Sequence, residues 1–124
     1  MHSTKYYLCL LHNLFKMDIE NSKAQMKKGI LELCILTIIS RGEAYASDII
    51  IELKKANLIV VEGTLYPLLT RLKNEELLNY NWFESNSGPP RKYYQLTKNG
   101  QQFLNEINQS WNDLVNSVNT ITKN

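Results

Sequence analysis

Glu62-Gly63-Thr64-Leu65-Tyr66-Pro67-Leu68-Leu69-Thr70-Arg71-Leu72-Lys73 is the stretch from which the rest of the chain is best read. Leu65, Leu68, Leu69 and Leu72 fall at i, i+3, i+4 and i+7, which is one stripe of an α-helix. That stripe is built to be buried. Gly63, Pro67, Thr70, Arg71 and Asn74 lie opposite, a face of hydroxyl, cation and amide with few bulky apolar groups. Such a face is turned toward something other than core. Pro67 lacks an N–H and costs one helical hydrogen bond beyond the first turn, so the helix is expected to begin close to Gly63, with Glu62 as a candidate cap. Its end is expected near Asn74-Glu75-Glu76.

Working outward, a second amphipathic helix is expected upstream, from about Ala46 to Ala56. Ile49, Ile50 and Leu53 lie on one side of it, Glu52, Lys54 and Lys55 on the other, and Ser47 or a neighbour caps it. Asn57 to Val61 has no helical period and connects the two. Two short helices joined this way, the second with a polar face, form a helix-turn-helix pattern. Downstream, Leu78, Tyr80, Trp82 and Glu84 alternate with Asn79, Asn81, Phe83 and Ser85, a strand rich in aromatic residues. Asn86-Ser87-Gly88-Pro89-Pro90 is the strongest turn cluster in the chain, and Arg91 to Leu96 returns as a second strand that opens on two cations. The expected fold is mainly α with a small β-hairpin, a winged helix-turn-helix.

The two ends complete this plan. Ser22 followed by Gln25 has the form of a capping box, so a helix is expected to start there, run through the apolar stretch Ile30 to Ile39 and stop near Arg41-Gly42. Lys27 and Lys28 then sit near its amino end, where the helix dipole prefers acids; they are either phosphate contacts or a solvated helix end. Thr97 is a good N-cap for a last helix. In it Leu104, Ile107, Trp111, Leu114, Val118 and Ile121 step by 3, 4, 3, 4 and 3, the alternation of a coiled-coil seam. A small domain has little core left to bury such a stripe, and homodimerisation is the economical answer. The domain plan is therefore an extension over 1–21, a winged helix-turn-helix over 22–97 and a dimerisation helix over 98–124.

Composition narrows the class without naming a function. At 124 residues the chain is one domain in size, and its 44% hydrophobic and 21% charged content is that of an ordinary soluble protein. A net charge of +2 says little about a polyanionic partner, because recognition depends on where cations cluster. Cys9 and Cys34 have no Cys-x-x-Cys partner, and His2 and His12 both lie near the terminus, so no metal site is expected. Cys34 reads as filler in an apolar helix, and a reducing, cytoplasmic location fits. The apolar run Tyr6 to Leu11 is interrupted by His12-Asn13 and lacks a cleavage site, which argues against a signal peptide. Residues 1–16 read either as an upstream translation start, with Met17 the natural beginning, or as a short apolar helix packed on the body.

The segments Met26-Lys27-Lys28-Gly29-Ile30-Leu31-Glu32-Leu33, Gly42-Glu43-Ala44-Tyr45, Glu62 to Leu72 and Gly88-Pro89-Pro90-Arg91-Lys92-Tyr93-Tyr94-Gln95-Leu96-Thr97-Lys98-Asn99-Gly100 together resemble the signature segments of PadR-type transcriptional regulators. The resemblance spans roughly residues 22 to 118. It implies a homodimeric winged-helix repressor with the helix around Thr64 to Lys73 in the major groove, the hairpin near the minor groove and the last helix crossing to the partner. Ala46 stands where many members have glycine. Glu75-Glu76-Leu77 stands where an acid-glycine pair usually closes the recognition helix, which makes a left-handed cap less favourable.

On this reading Lys27, Lys28, Arg71, Lys73, Arg91 and Lys92 are candidates to neutralise phosphates. Thr64, Tyr66, Thr70 and Arg71 are candidates to read base edges, with Tyr66 alternatively packing beside Leu69. Gly63 lets the backbone approach a phosphate at the partly positive helix start, Pro67 completes the outer face, and Glu62 is expected to point away. Trp111 is most simply a dimer anchor. The resemblance adds a second use for it, since some relatives bind flat aromatic or cationic drugs between paired tryptophans, and a small aromatic effector is therefore a candidate ligand. No cofactor is expected, and the absence of a catalytic constellation argues against an enzyme. The remaining rival is a winged-helix module used only for protein contacts, which has no need of Arg71, Arg91 and Lys92 together.

Overall fold

The computed structural model describes residues 4–123, apart from the side chains of residues 6, 12, 14–17 and 85. In chain order the elements are α1 (Thr4–Lys27), α2 (Ile30–Ser40), β1 (Ala44–Tyr45), α3 (Ala46–Lys55), α4 (Glu62–Asn74), β2 (Leu78–Ser85), β3 (Gly88–Leu96) and α5 (Lys98–Thr122). The chain divides into two compact units, residues 1–31 and 32–124.

In the first unit α1 passes without a break through the place where a new helix was expected. Ser22 and Gln25 are interior residues of α1 and do not cap it. The helix stops instead at Gly29, whose φ of 90° is a conformation that glycine reaches without steric cost. Lys27 and Lys28 consequently lie at a helix carboxyl end, where cations suit the dipole, and not at the amino end expected for them.

The second unit holds the core. Ile35, Leu36 and Ile39 of α2, Ile49 and Leu53 of α3, Leu65, Leu69 and Leu72 of α4, Leu78 of β2, Tyr94 of β3 and Leu104 of α5 are all buried. In the leucine stripe of α4 Leu68 is half-buried, whereas Leu65, Leu69 and Leu72 are at 0% exposure. Burial of each contributes about 1.5–3 kcal/mol relative to leaving it in water. Leu104, expected in the dimer seam, belongs instead to the chain's own core.

Helix ends are set by local hydrogen bonds. At α3 the Asp48 carboxylate accepts the Tyr45 N–H at 3.0 Å, so the neighbour that caps is Tyr45 and not Ser47. The same helix closes with Asn57 N–H donating to Lys54 O and Leu58 N–H to Leu53 O, around Asn57 at φ 63°. An identical closure ends α4: Glu76 N–H donates to Lys73 O, Leu77 N–H to Leu72 O, and Glu76 takes φ 63°. The left-handed cap therefore forms without the glycine that would favour it. At its start α4 has Val61 as N-cap with no side-chain bond, so Glu62 is the first helical residue and not the cap.

The sheet is larger than a hairpin. It has three antiparallel strands in the order β1-β3-β2, with Ala44 opposite Tyr94 and Tyr45 opposite Tyr93. The turn between β2 and β3 is only Asn86-Ser87. Ser85 pairs with Gly88 and Phe83 with Arg91, which leaves Pro89 and Pro90 opposite Glu84 in a bulge. Prolines cannot donate to the ladder, and the bulge accommodates them. Thr97 caps α5 as expected, accepting the Gly100 N–H at 2.9 Å, and its own hydroxyl donates to Glu76 O at 2.7 Å.

Candidate nucleic-acid interface

The outer face of α4 is a shallow open depression lined by Tyr66, Pro67, Thr70, Arg71, Asn74 and Glu75. Thr64 and Gly63 are exposed at its amino end, and a Cβ on Gly63 would stand in open space. Pro67 is the sixth helical residue, so the Gly63 carbonyl receives no N–H from it. Arg71 does not hang free: its Nη2 is paired with Oε1 of Glu32 in α2. Lys73 sits 5.9 Å from the centre of the Tyr80 ring.

Arg91 and Lys92, adjacent in β3, meet different sets of rings, as alternation along a strand requires. Arg91 lies 4.1 Å from the centre of Tyr45, which itself packs on Tyr93 at 4.7 Å. Lys92 lies 4.6 Å from Tyr80 and 5.4 Å from Trp82. Tyr80 thereby gathers Lys73 from α4 and Lys92 from β3, cations nineteen positions apart in sequence. Cation–π contacts of this kind fix long side chains without neutralising them. Between the wing, the start of α3 and α4 runs a groove of about 420 Å³ lined by Tyr45, Ser47, Glu62, Tyr66, Trp82, Arg91 and Lys92, among others. Glu62 thus lines the same groove as the wing cations.

Burial, with smaller contributions from Tyr66 and Tyr80, pushes the Tyr94 hydroxyl up. Burial likewise raises the Cys34 thiol, which makes it less reactive than an exposed cysteine. Among the described residues no group of three or more His, Cys, Asp or Glu could hold a metal ion, and no helix is long and apolar enough to cross a membrane.

The site thus pairs a helix that has buried leucines and an open polar face with a wing that carries cations. The sequence profile described as the Transcriptional regulator PadR-like family matches residues 35–106, more than half of the chain. The chain belongs to this PadR-like family. An X-ray structure of a PadR-like transcription factor from Bacteroides fragilis is 61% identical, with 82% of this chain and 99% of that one covered at a TM-score of 0.71. A PadR-like transcriptional regulator from Bacillus cereus is 42% identical over 81% of this chain and 98% of its own, at a TM-score of 0.72. The fold is also shared with Bacillus subtilis PadR, solved in complex with operator DNA: 24% identical, TM-score 0.59, covering 64% of this chain and 45% of that one. The PadR-like proteins are transcriptional regulators and not enzymes.

In this PadR-like regulator the structure brings Thr64, Tyr66, Pro67, Thr70, Arg71 and Lys73 onto α4 and joins Lys73 to the wing through Tyr80. Lys27 and Lys28 belong to the other unit. Three neighbours of the site were missed in sequence: Glu32, Tyr45 and Trp82. Trp82 was marked only as part of an alternating strand, yet it is 60% exposed beside Lys92. Nothing local marks Glu32 as the partner of a residue 39 positions later. Along α5, beyond buried Leu104 and half-buried Ile107, Trp111 is 37% exposed, and Leu114, Val118 and Ile121 are more so.

Proposed function

We propose that this regulator is a sequence-specific repressor that binds double-stranded DNA as a homodimer. The outer face of α4 enters the major groove, the β2–β3 wing lies beside the minor groove and α5 crosses to the partner. The observation that carries the reading is the division of α4 between a leucine side at 0% exposure and an open side of Thr64, Tyr66, Pro67, Thr70 and Arg71. The solvent side carries groups of the kind that meet base edges and phosphates. Kinship with a PadR protein solved on operator DNA supports it.

Thr64, Tyr66, Thr70 and Arg71 then read bases. Arg71, Lys73, Arg91 and Lys92, with Lys27 and Lys28, meet phosphates, and Gly63 permits close approach of the backbone. Residues 22–97 form the DNA-binding domain, 98–124 the dimerisation helix and 1–21 an extension. The apolar stripe of Trp111, Leu114, Val118 and Ile121, left uncovered in the single chain, supports the dimer. A small planar aromatic effector stacked on Trp111 at the dimer centre relieves repression, and action on DNA places the protein in the cytoplasm.

Gel retardation of its own promoter fragment checks this reading. Binding should weaken steeply with salt, with log affinity falling by about 0.9 per log unit for each phosphate neutralised. The double replacement Arg91→Ala and Lys92→Ala should flatten that slope by about two. A planar aromatic that quenches Trp111 fluorescence should release the fragment. No retardation at low salt across a library of genomic fragments would sink the proposal.

A further inference from the structure

We infer that Glu32 is a positioning residue for Arg71, presenting the guanidinium to a phosphate at the flank of the bound DNA. The inference rests on the DNA-binding reading above. The Nη2 of Arg71, in the last turn of α4, is paired with Oε1 of Glu32 in the first turn of α2. Arg71 remains 51% exposed and Glu32 only 23%. The carboxylate sits back against the protein while the guanidinium stays at the surface. Arg71 also lines the open face of α4 with Tyr66, Pro67 and Thr70.

A strut between helices is the simpler use of such a pair, but two facts weigh against it. The arginine end is half in water, which screens the pair and lowers what it adds to folding. And α4 is already fastened by Leu65, Leu69 and Leu72, each at 0% exposure. What the pair does restrict is Arg71 itself, a long side chain with large rotamer freedom. A guanidinium has five N–H donors, so a contact at one nitrogen leaves others for a second anion. Arg71 is also seven residues beyond Thr64, about two turns along the helix axis, whereas the amino-terminal residues of a recognition helix are those that meet base edges. Anchored on the α2 side, Arg71 is a phosphate contact and not a base reader, which narrows the double role the sequence had suggested.

The sign of one substitution separates positioning from simple electrostatics. Glu32→Gln removes a negative charge near the DNA, and by charge alone it should tighten binding. Positioning requires the opposite: operator affinity falls about fivefold, the scale at which contacting side chains couple. In an Arg71→Ala background the same replacement should have no weakening effect. Arg71→Ala by itself should weaken binding to all sequences alike and lower the salt slope by about one. Glu32→Asp keeps the charge but withdraws the oxygen, and should weaken binding in the same direction. Binding by Glu32→Gln as tight as wild type or tighter, or an equal loss in the Arg71→Ala background, overturns the positioning role while leaving the DNA-binding reading intact. Failure of the unmodified protein to bind any fragment overturns both.

Discussion

Gly63 separates folding from function at the scale of one residue. It is the second residue of α4, exposed, and a Cβ there would meet nothing within 4 Å. Alanine should therefore fit, and by restricting the unfolded chain it should stabilise the fold by about 0.5 kcal/mol. If the backbone at Gly63 approaches a phosphate, the same methyl group keeps it away. We expect Gly63→Ala to melt at or slightly above the wild-type temperature while its operator affinity drops severalfold; unchanged affinity would remove Gly63 from the interface. Glu76 shows the limit of reading one residue at a time. Its lack of a glycine cap was visible in the sequence, but its adoption of φ 63° was not, because the conformation is held by distant groups. Thr97 Oγ1 donates to the Glu76 carbonyl from 21 residues away, and Leu77, the next residue, is buried. Arg71 is a similar case, its cation legible from the helix face and its carboxylate partner not.

At the scale of elements, α4, α3, the hairpin and α5 were legible because each carries a period or a cap of its own. What was not legible depended on contacts between elements. β1 is only two residues long and exists because β3 offers Ala44 and Tyr45 an open edge at Tyr94 and Tyr93, so no pattern could announce it. The capping box at Ser22 failed because a strong helical segment lies on both sides of it, and Gly29 set the break instead. Gly100 is the clearest such junction. It lies in the first turn of α5, and a Cβ there would stand 2.1 Å from the Leu77 carbonyl and 2.8 Å from Leu96 Cδ1. Leu77 is a backbone neighbour that cannot swing aside, since its carbonyl also accepts the Thr97 N–H at 3.1 Å. Gly100→Ala must push α5 away from the base of the wing. The expected cost is about 1–3 kcal/mol, the range for overpacking, read as a lower denaturant midpoint. An unchanged midpoint would mean that α5 is not fixed to the wing at this point.

At the scale of the whole molecule the deciding surface is the stripe on α5. Leu114, Val118 and Ile121 are 57%, 47% and 78% exposed, and together with Trp111 they follow the seam spacing read in the sequence. Leu104, which spacing alone also assigned to that seam, closes the core of its own chain. Beyond that residue the stripe has no core to meet, and covering it against a second copy would return apolar surface to a dry environment. A charge in the middle of the stripe tests this without touching the fold, since the replaced side chains face solvent in the single chain. We expect Leu114→Asp combined with Ile121→Asp to give a monomer by light scattering at concentrations where the unmodified protein is a dimer. Each α4 would then have to hold its half-site alone, and operator affinity should fall by about 10²-fold or more from the lost linkage between half-sites. The circular dichroism of the winged domain should be little altered, which distinguishes loss of the partner from loss of the fold. A double variant that still scatters as a dimer would move the interface off α5, and with it the proposed setting of Trp111.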